Sequence, residues 1–184
     1  MSCLYTPQDL AVFVLSANLK LSDEQRIIQD IWKNAKSSVS AKYRQDFLLF
    51  QRHINLELYK YDGTLSDIDE LDILFKGTEH AFSADGSIDE QDLKSIIESY
   101  FKVIKLKLIY LEGRDYRKIK LRKLLKRFGY KRRSAQLVNH IQKMLERLRL
   151  KTYLKGCVPC SIAEVKLDDM IMIRLANALK RNNW

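Results

Sequence analysis

The sequence predicts a mainly helical protein whose C-terminal half also contains a small amount of β-structure. Proline and glycine are scarce, with 2 and 6 residues among 184, which disfavours a turn-rich β-sandwich. Apolar residues recur at helical spacing over most of the chain, and many of these segments begin with a capping residue. The clearest strand-like segments, 150–156 and 170–175, both lie near the C-terminus. The hydrophobic content of 46% is sufficient for a buried core.

Helices are predicted in the first 86 residues at about 7–19, 22–35, 40–58 and 65–75. Thr6 and Pro7 are typical of a helix start, and Ser22 with Gln25 fits a capping box. The acids of the fourth helix lie in its first turns, where the helix dipole favours negative charge. The apolar faces of these helices exceed what one thin layer can hide. We therefore expect them to form their own core, to pack on the rest of the chain, or to build a homodimer interface.

The next helices carry clearer boundary signals. Ser87 and Glu90 fit a capping box for a helix at 87–101. A helix at 119–128 is followed by Gly129, which suits a left-handed cap, and a helix at 134–148 begins at Ser134. The last of these has a continuous apolar stripe, formed by Leu137, Val138, Ile141, Met144, Leu145 and Leu148.

A strand at 150–156, a loop at 157–169 and a strand at 170–175 follow these helices. A small strand ahead of the helix pair is expected either in 105–113 or in 116–121. In this order of elements, residues 87–175 resemble the winged helix-turn-helix superfamily of nucleic-acid-binding domains. The predicted domains are an acidic helical region at 1–86, a basic winged helix at 87–175 and a C-terminal tail at 176–184.

Positive charge is concentrated in one part of the chain. The net charge is −7 over residues 1–101, +16 over residues 102–155 and +1 over the rest, for a total of +10. A solvated helix face usually mixes both signs, because unbalanced like charge repels itself. The asymmetry therefore favours contact with a polyanion. If 6 to 8 of these cations met phosphates, binding would depend on salt with a log–log slope of about −5 to −7.

The resemblance implies that helix 134–148 enters a major groove and that flanking cations contact the phosphate backbone. The candidate base-contacting residues are Gln136, Asn139, His140 and Lys143. The candidate backbone contacts are Lys120, Lys123, Arg127, Lys131, Arg132, Arg133, Arg147, Lys151 and Lys155. The predicted ligand is nucleic acid, most simply duplex DNA, and the predicted role is regulation of transcription or of a mobile-element or defence process. The alternative is a winged-helix adaptor without catalytic activity that docks an acidic partner.

Other motifs favour structural interpretations, so we predict no enzyme activity, no cofactor and no metal. The stretch 81–92 imitates half of an EF-hand loop, but Ala81 stands where calcium needs a carboxylate. Cys157 and Cys160 form a C-x-x-C pair without the second ligand pair that zinc requires. The neighbouring acids Asp67, Asp69, Glu70 and Asp72 fit an acidic helix start better than a nuclease site.

The three cysteines cannot all pair within one chain, which is typical of a reduced, intracellular protein. The apolar run 10–17 has no basic stretch before it and is too short to span a bilayer. We therefore expect a cytoplasmic protein, associated with the nucleoid if the source is bacterial, and no membrane partner.

Overall fold

The computed structural model describes residues 4–61, 69–76, 90–111, 115–130 and 132–176. The helices are α1 (Pro7–Ala17), α2 (Leu21–Asn34), α3 (Phe47–Tyr59), α4 (Glu70–Lys76), α5 (Glu90–Tyr110), α6 (Leu121–Arg127) and α7 (Ala135–Arg147). The strands are β1 (Arg117–Lys120), β2 (Leu150–Leu154), β3 (Val158–Pro159) and β4 (Met170–Leu175). The predicted class, mainly helical with a small β component, is confirmed.

The chain divides into two compact units, Met1–Val103 and Ile104–Trp184, which we call the N-terminal and C-terminal units. Helix α5 contributes its first part to one unit and its end to the other. The predicted domain boundary between residues 86 and 87 lies outside the described residues, as does most of the predicted tail.

Helix α1 begins as its sequence predicts. The Thr6 hydroxyl accepts a hydrogen bond from the Asp9 amide (3.2 Å), and the Asp9 carboxylate accepts one from the Thr6 amide (2.8 Å). This capping box satisfies two amides that the first turn leaves free. Residues Leu10 to Val14 are buried, so this apolar run is part of a protein core.

Two predicted helix starts in the N-terminal unit are wrong. Helix α2 begins at Leu21, and its N-cap Lys20 makes no side-chain capping bond, so Ser22 lies inside the helix. The segment predicted as one helix at 40–58 contains a 3₁₀ turn, Ala41–Tyr43, and then α3. Asp46 causes this restart, because its carboxylate accepts a hydrogen bond from the Leu49 amide (2.9 Å) as an N-cap.

A charged group is buried between α1 and α5. Asp9 is fully buried, and the Lys102 ammonium lies 3.2 Å from its carboxylate and 2.9 Å from that of Glu98. Burial lowers the pKa of Lys102, but the two carboxylates outweigh this effect and raise the pKa above its ordinary value. The ion pair therefore joins two helices that are far apart in sequence.

The acids at the start of α4 have structural roles. The Asp69 carboxylate accepts hydrogen bonds from the amides of Leu71 (3.0 Å) and Asp72 (3.3 Å). Glu70 lies in the first turn of α4, in agreement with the predicted acidic helix start, but its side chain is buried. Asp67 and most of the EF-hand-like stretch 81–92 lie outside the described residues.

The sheet of the C-terminal unit is antiparallel, with strand order β1-β4-β2-β3. Strand β4 coincides with the predicted 170–175, and β2 with most of the predicted 150–156. Of the two expected positions for the first strand, the later one is confirmed, since α5 continues through most of 105–113 to Tyr110 rather than ending near Phe101. Pairing of Ile119 and Lys120 with β4 also explains why α6 begins at Leu121 and not at 119.

Helix α6 ends at the predicted glycine. Gly129 has a φ of +83°, and its amide donates to the Lys126 carbonyl (3.0 Å), while the Tyr130 amide donates to that of Leu125 (2.9 Å). These two bonds define a Schellman motif, which favours glycine at the left-handed position. Helix α7 then starts at the predicted cap, where the Ser134 hydroxyl accepts from the Leu137 amide (3.1 Å). Its predicted apolar stripe is buried.

Candidate nucleic-acid interface

The polar face of α7 carries all four candidate base-contacting residues. They follow one another at helical spacing opposite the buried stripe; Gln136, Asn139 and Lys143 are exposed and His140 is half-buried. Gln136 and His140 each interact with another group of the chain. The side chains of Asn139 and Lys143 form no hydrogen bond or ion pair in the described structure. These two are therefore the residues that are most open to a ligand.

Arg132 and Arg133, just ahead of α7, have different surroundings. Arg132 is exposed, whereas Arg133 is half-buried and donates from Nη1 to the carbonyls of Ile162 (3.1 Å) and Ala163. Part of the Arg133 guanidinium is thus used inside the protein, which the sequence pattern did not indicate. Lys131, the third cation of this group, lies outside the described residues.

The cations near α6 are partly balanced by one acid that the sequence analysis missed. Arg122 holds the Asp168 carboxylate with two hydrogen bonds (2.9 and 2.6 Å), and Lys120 lies 3.7 Å from it. Hydrogen bonds from Arg122 hold the pKa of Asp168 below its ordinary value. Arg127 is half-buried, and burial lowers its pKa. Lys123 is exposed and forms no ion pair in the described part of the chain.

The remaining candidate cations are two lysines of a small hairpin, β2–β3, and an arginine at the end of α7. The turn of this hairpin closes with a hydrogen bond from the Cys157 amide to the Leu154 carbonyl (3.2 Å), and Gly156 supplies the positive φ (+83°). Lys151 and Lys155 are exposed there without an ion pair among the described residues. Arg147, at the end of α7, is exposed and lies 4.0 Å from the Met144 sulfur.

The connection between β3 and β4 is bonded back to both helices. Gln142 of α7 donates to the Ser161 hydroxyl (2.8 Å), and the amide of Arg122 in α6 donates to the Leu167 carbonyl (2.7 Å). The predicted open loop at 157–169 therefore has two parts. Strand β3 and the hairpin tip are exposed, whereas much of 160–169 is tied to the helices.

The two cysteines of the C-x-x-C pair flank β3. Extended backbone at Val158 and Pro159 separates their Cα atoms by about 10 Å, whereas a disulfide needs about 4.4–6.8 Å. Burial raises the pKa of the Cys160 thiol. In the described residues, no group of three or more His, Cys, Asp or Glu side chains could hold a metal ion.

No family model, no curated protein and no solved structure matches this chain. None of the helices in the described segments is both long and apolar enough to cross a membrane. The candidate site therefore consists of α7, a capped helix with an exposed polar face, together with the exposed cations beside it and the basic β2–β3 hairpin that follows it.

Proposed function

We propose that the C-terminal unit is a winged helix that binds duplex DNA, with α7 in the major groove and the β2–β3 hairpin as its wing. The observation that carries this proposal is the outer face of α7. Asn139 and Lys143 are exposed there and form no bond within the described chain. Amide and ammonium groups of this kind recognise base edges in the major groove.

The order of elements supports the same function. A helix, a strand, two helices joined by a short turn, and then strands follow one another, and β4 returns between β1 and β2. This order is typical of winged helices, in which the second helix of the pair is the reading helix. Fold alone does not define function, so the proposal depends on the surface of α7 and its flanking cations.

The cations available to phosphates are fewer than the sequence predicts. Lys123, Arg132, Lys151 and Lys155 are exposed and form no ion pair in the described structure. Four phosphate contacts give a log–log salt slope of about −4 on duplex DNA. Lys120 and Arg133 already interact with groups of the protein and are expected to add less.

The ligand can be tested by fluorescence anisotropy with a duplex, a matching single strand and an RNA of the same sequence, each at several salt concentrations. We expect the duplex to bind tightest, with the slope given above. An adaptor that docks an acidic protein would bind all three weakly and without preference for duplex sequence. Equal, weak binding of the three ligands would therefore contradict DNA recognition and favour the adaptor.

We also propose that the protein acts in regulation of transcription or in a mobile-element or defence process, as a dimer. Most apolar residues of α1 and α2 are buried, whereas α3 exposes several large apolar side chains on its outer face, which is the contact we propose. Leu48 and Tyr59 are 75% and 85% exposed there. Light scattering on the full chain tests this: a dimer mass that Leu48→Glu reduces to the monomer supports it, and a monomer mass for the unmodified protein contradicts it.

A further inference from the structure

A second cluster of basic residues surrounds an exposed tyrosine on the sheet. Tyr116 directly precedes β1, and the pairing of Arg117 with Ile173 places it beside Arg174 of β4. Lys151 of β2 pairs with Arg174 across the sheet. Because alternate residues of a strand share a face, Lys118 lies on this face with Tyr116. We call Tyr116, Lys118, Lys151 and Arg174 the Tyr116 cluster.

The aromatic ring is in direct contact with two of the cations. The Lys118 ammonium lies 5.1 Å from the ring centroid of Tyr116, and the Arg174 guanidinium carbon lies 5.3 Å from it. Tyr116 is nevertheless 38% exposed. The cluster thus presents a π-surface and positive charge at one place, opposite the face that carries buried Ile171 and Ile173.

Arg174 forms no hydrogen bond with the described residues, and its ion pair with Asp115 is long. Its side chain is only 13% exposed, and the nearest carboxylate oxygen, from Asp115, is 3.9 Å away. Its Nε is buried without a hydrogen bond, and the described residues receive none from the rest of the guanidinium. Leaving a shielded cation without acceptors is costly. An anionic oxygen bound at the exposed end of the guanidinium would supply a closer acceptor than Asp115.

We propose that the Tyr116 cluster binds an unpaired nucleotide of single-stranded nucleic acid. The base takes the place of the exposed Lys118 ammonium against the Tyr116 ring, and Lys118 then contacts the adjoining phosphates together with Arg174. Lys151 extends the positive surface. Stacking of this kind requires a base that is free of its partner, because a duplex buries the base faces. This function goes beyond the duplex recognition proposed for α7, since it uses a different form of nucleic acid and a surface that shares only Lys151 with the proposed duplex contacts.

Anisotropy titration of labelled oligothymidylate and oligouridylate tests the stacking. Comparing the two affinities shows whether the Tyr116 cluster prefers single-stranded DNA or RNA. We expect Tyr116→Leu to weaken binding about tenfold and Tyr116→Phe to change it by less than about twofold. Lys118→Ala should reduce the single-strand salt slope by about 0.7. Lys36→Ala, which removes an exposed lysine lying 4.3 Å from the Trp32 ring centroid in the N-terminal unit, is the matched control for Lys118→Ala and should leave the slope unchanged.

Photocrosslinking locates the contact in the unmodified protein, so it does not depend on the folding of any variant. An oligonucleotide carrying 5-iodouracil should crosslink to Tyr116, as identified by peptide mass spectrometry. Crosslinks that map only to other residues, or single-strand affinity that Tyr116→Leu leaves unchanged, would overturn the proposal. Duplex binding is measured in parallel: if it is absent while Tyr116 still determines single-strand affinity, the function proposed for α7 fails and the Tyr116 site remains.

Discussion

At the scale of single residues, Arg132 and Arg133 are adjacent and chemically identical but have different roles. Arg132 is exposed ahead of α7, whereas Arg133 donates to two carbonyls of the 160–169 loop. Sequence alone predicted that both would anchor phosphates. Their difference arises from the loop, whose position depends on the return of β4 to the sheet.

Substituting each arginine separately tests this division. Arg133→Ala should lower the free energy of unfolding by about 1–2 kcal/mol, because the part-buried Ile162 carbonyl and the exposed Ala163 carbonyl lose a charged donor. Arg132→Ala should leave stability within about 0.5 kcal/mol and weaken duplex binding at moderate salt. Urea denaturation and anisotropy of both variants provide the two measurements. An equal loss of stability in Arg132→Ala and Arg133→Ala would contradict a structural role for Arg133.

The buried ion pair of the N-terminal unit gives a second prediction at this scale. Lys102→Met leaves the buried Asp9 carboxylate without its cation and should destabilise the protein by about 3–5 kcal/mol. Lys94→Met is the matched control on the same helix, since Lys94 forms an exposed pair with Glu90, and should cost at most about 1 kcal/mol. Similar urea midpoints for the two variants would show that the buried pair contributes no more than the exposed one.

The Lys102–Asp9 ion pair also makes the stability of the protein depend on pH. The folded protein raises the pKa of Lys102, so its contribution is complete below the unfolded value, about 10.4, and is lost as pH rises through the folded value. The difference in stability between the unmodified protein and Lys102→Met should therefore be constant near neutrality and decrease in strong alkali. If the stability difference between the two proteins instead increased in strong alkali, the stabilising role of the Lys102 charge would be contradicted.

At the scale of helices and strands, capping residues in the sequence predict those helix ends that depend on hydrogen bonds between neighbouring residues. Thr6 with Pro7, Gly129 and Ser134 mark ends that depend on bonds within one or two turns. The prediction for Ser22 was wrong because an N-cap residue must itself have a non-helical backbone, and here the N-cap is Lys20, two residues earlier. The start of α6 failed because Ile119 and Lys120 pair with residues about fifty positions later, which no local pattern reports.

The candidate site likewise has features that local sequence predicts and features that depend on residues distant in sequence. The exposed face of α7 follows from its apolar period, and the exposure of Asn139 and Lys143 agrees with it. The Arg122–Asp168 pair, the bonds of Arg133 and the Tyr116 cluster all join residues that are distant in sequence. Charge counting could locate the basic segment but could not separate cations that are available to a ligand from those used inside the fold.

Helix α7 carries the prediction about sequence preference. Asn139→Ala should reduce affinity for a selected duplex site by about tenfold, within the 1–3 kcal/mol expected of an amide–adenine contact, and leave random duplexes unaffected. Selection of binding sites from a randomised library, followed by titration of the enriched duplex, measures both quantities. Asn34→Ala, an exposed asparagine of α2, is the control. An equal loss on random duplexes would assign Asn139 to general affinity instead.

At the scale of the whole molecule, charge is separated along the chain. Residues 1–101 carry a net −7 and residues 102–155 a net +16, although the total is only +10. For the proposed duplex binding, this asymmetry favours contact of the polyanion with residues 102–155 over residues 1–101. Dispersed lysines with the same total would bind phosphates without orientation.

The most direct test of duplex recognition by the C-terminal unit compares two double variants of equal charge change. Arg132→Ala with Lys151→Ala removes two candidate phosphate contacts, and Lys20→Ala with Lys33→Ala removes two exposed lysines of the N-terminal unit. The quantity measured is the salt slope of duplex binding by anisotropy. We predict that the first variant reduces the slope by about 2 and the second leaves it unchanged. Equal slopes for the two variants would contradict the proposed interface.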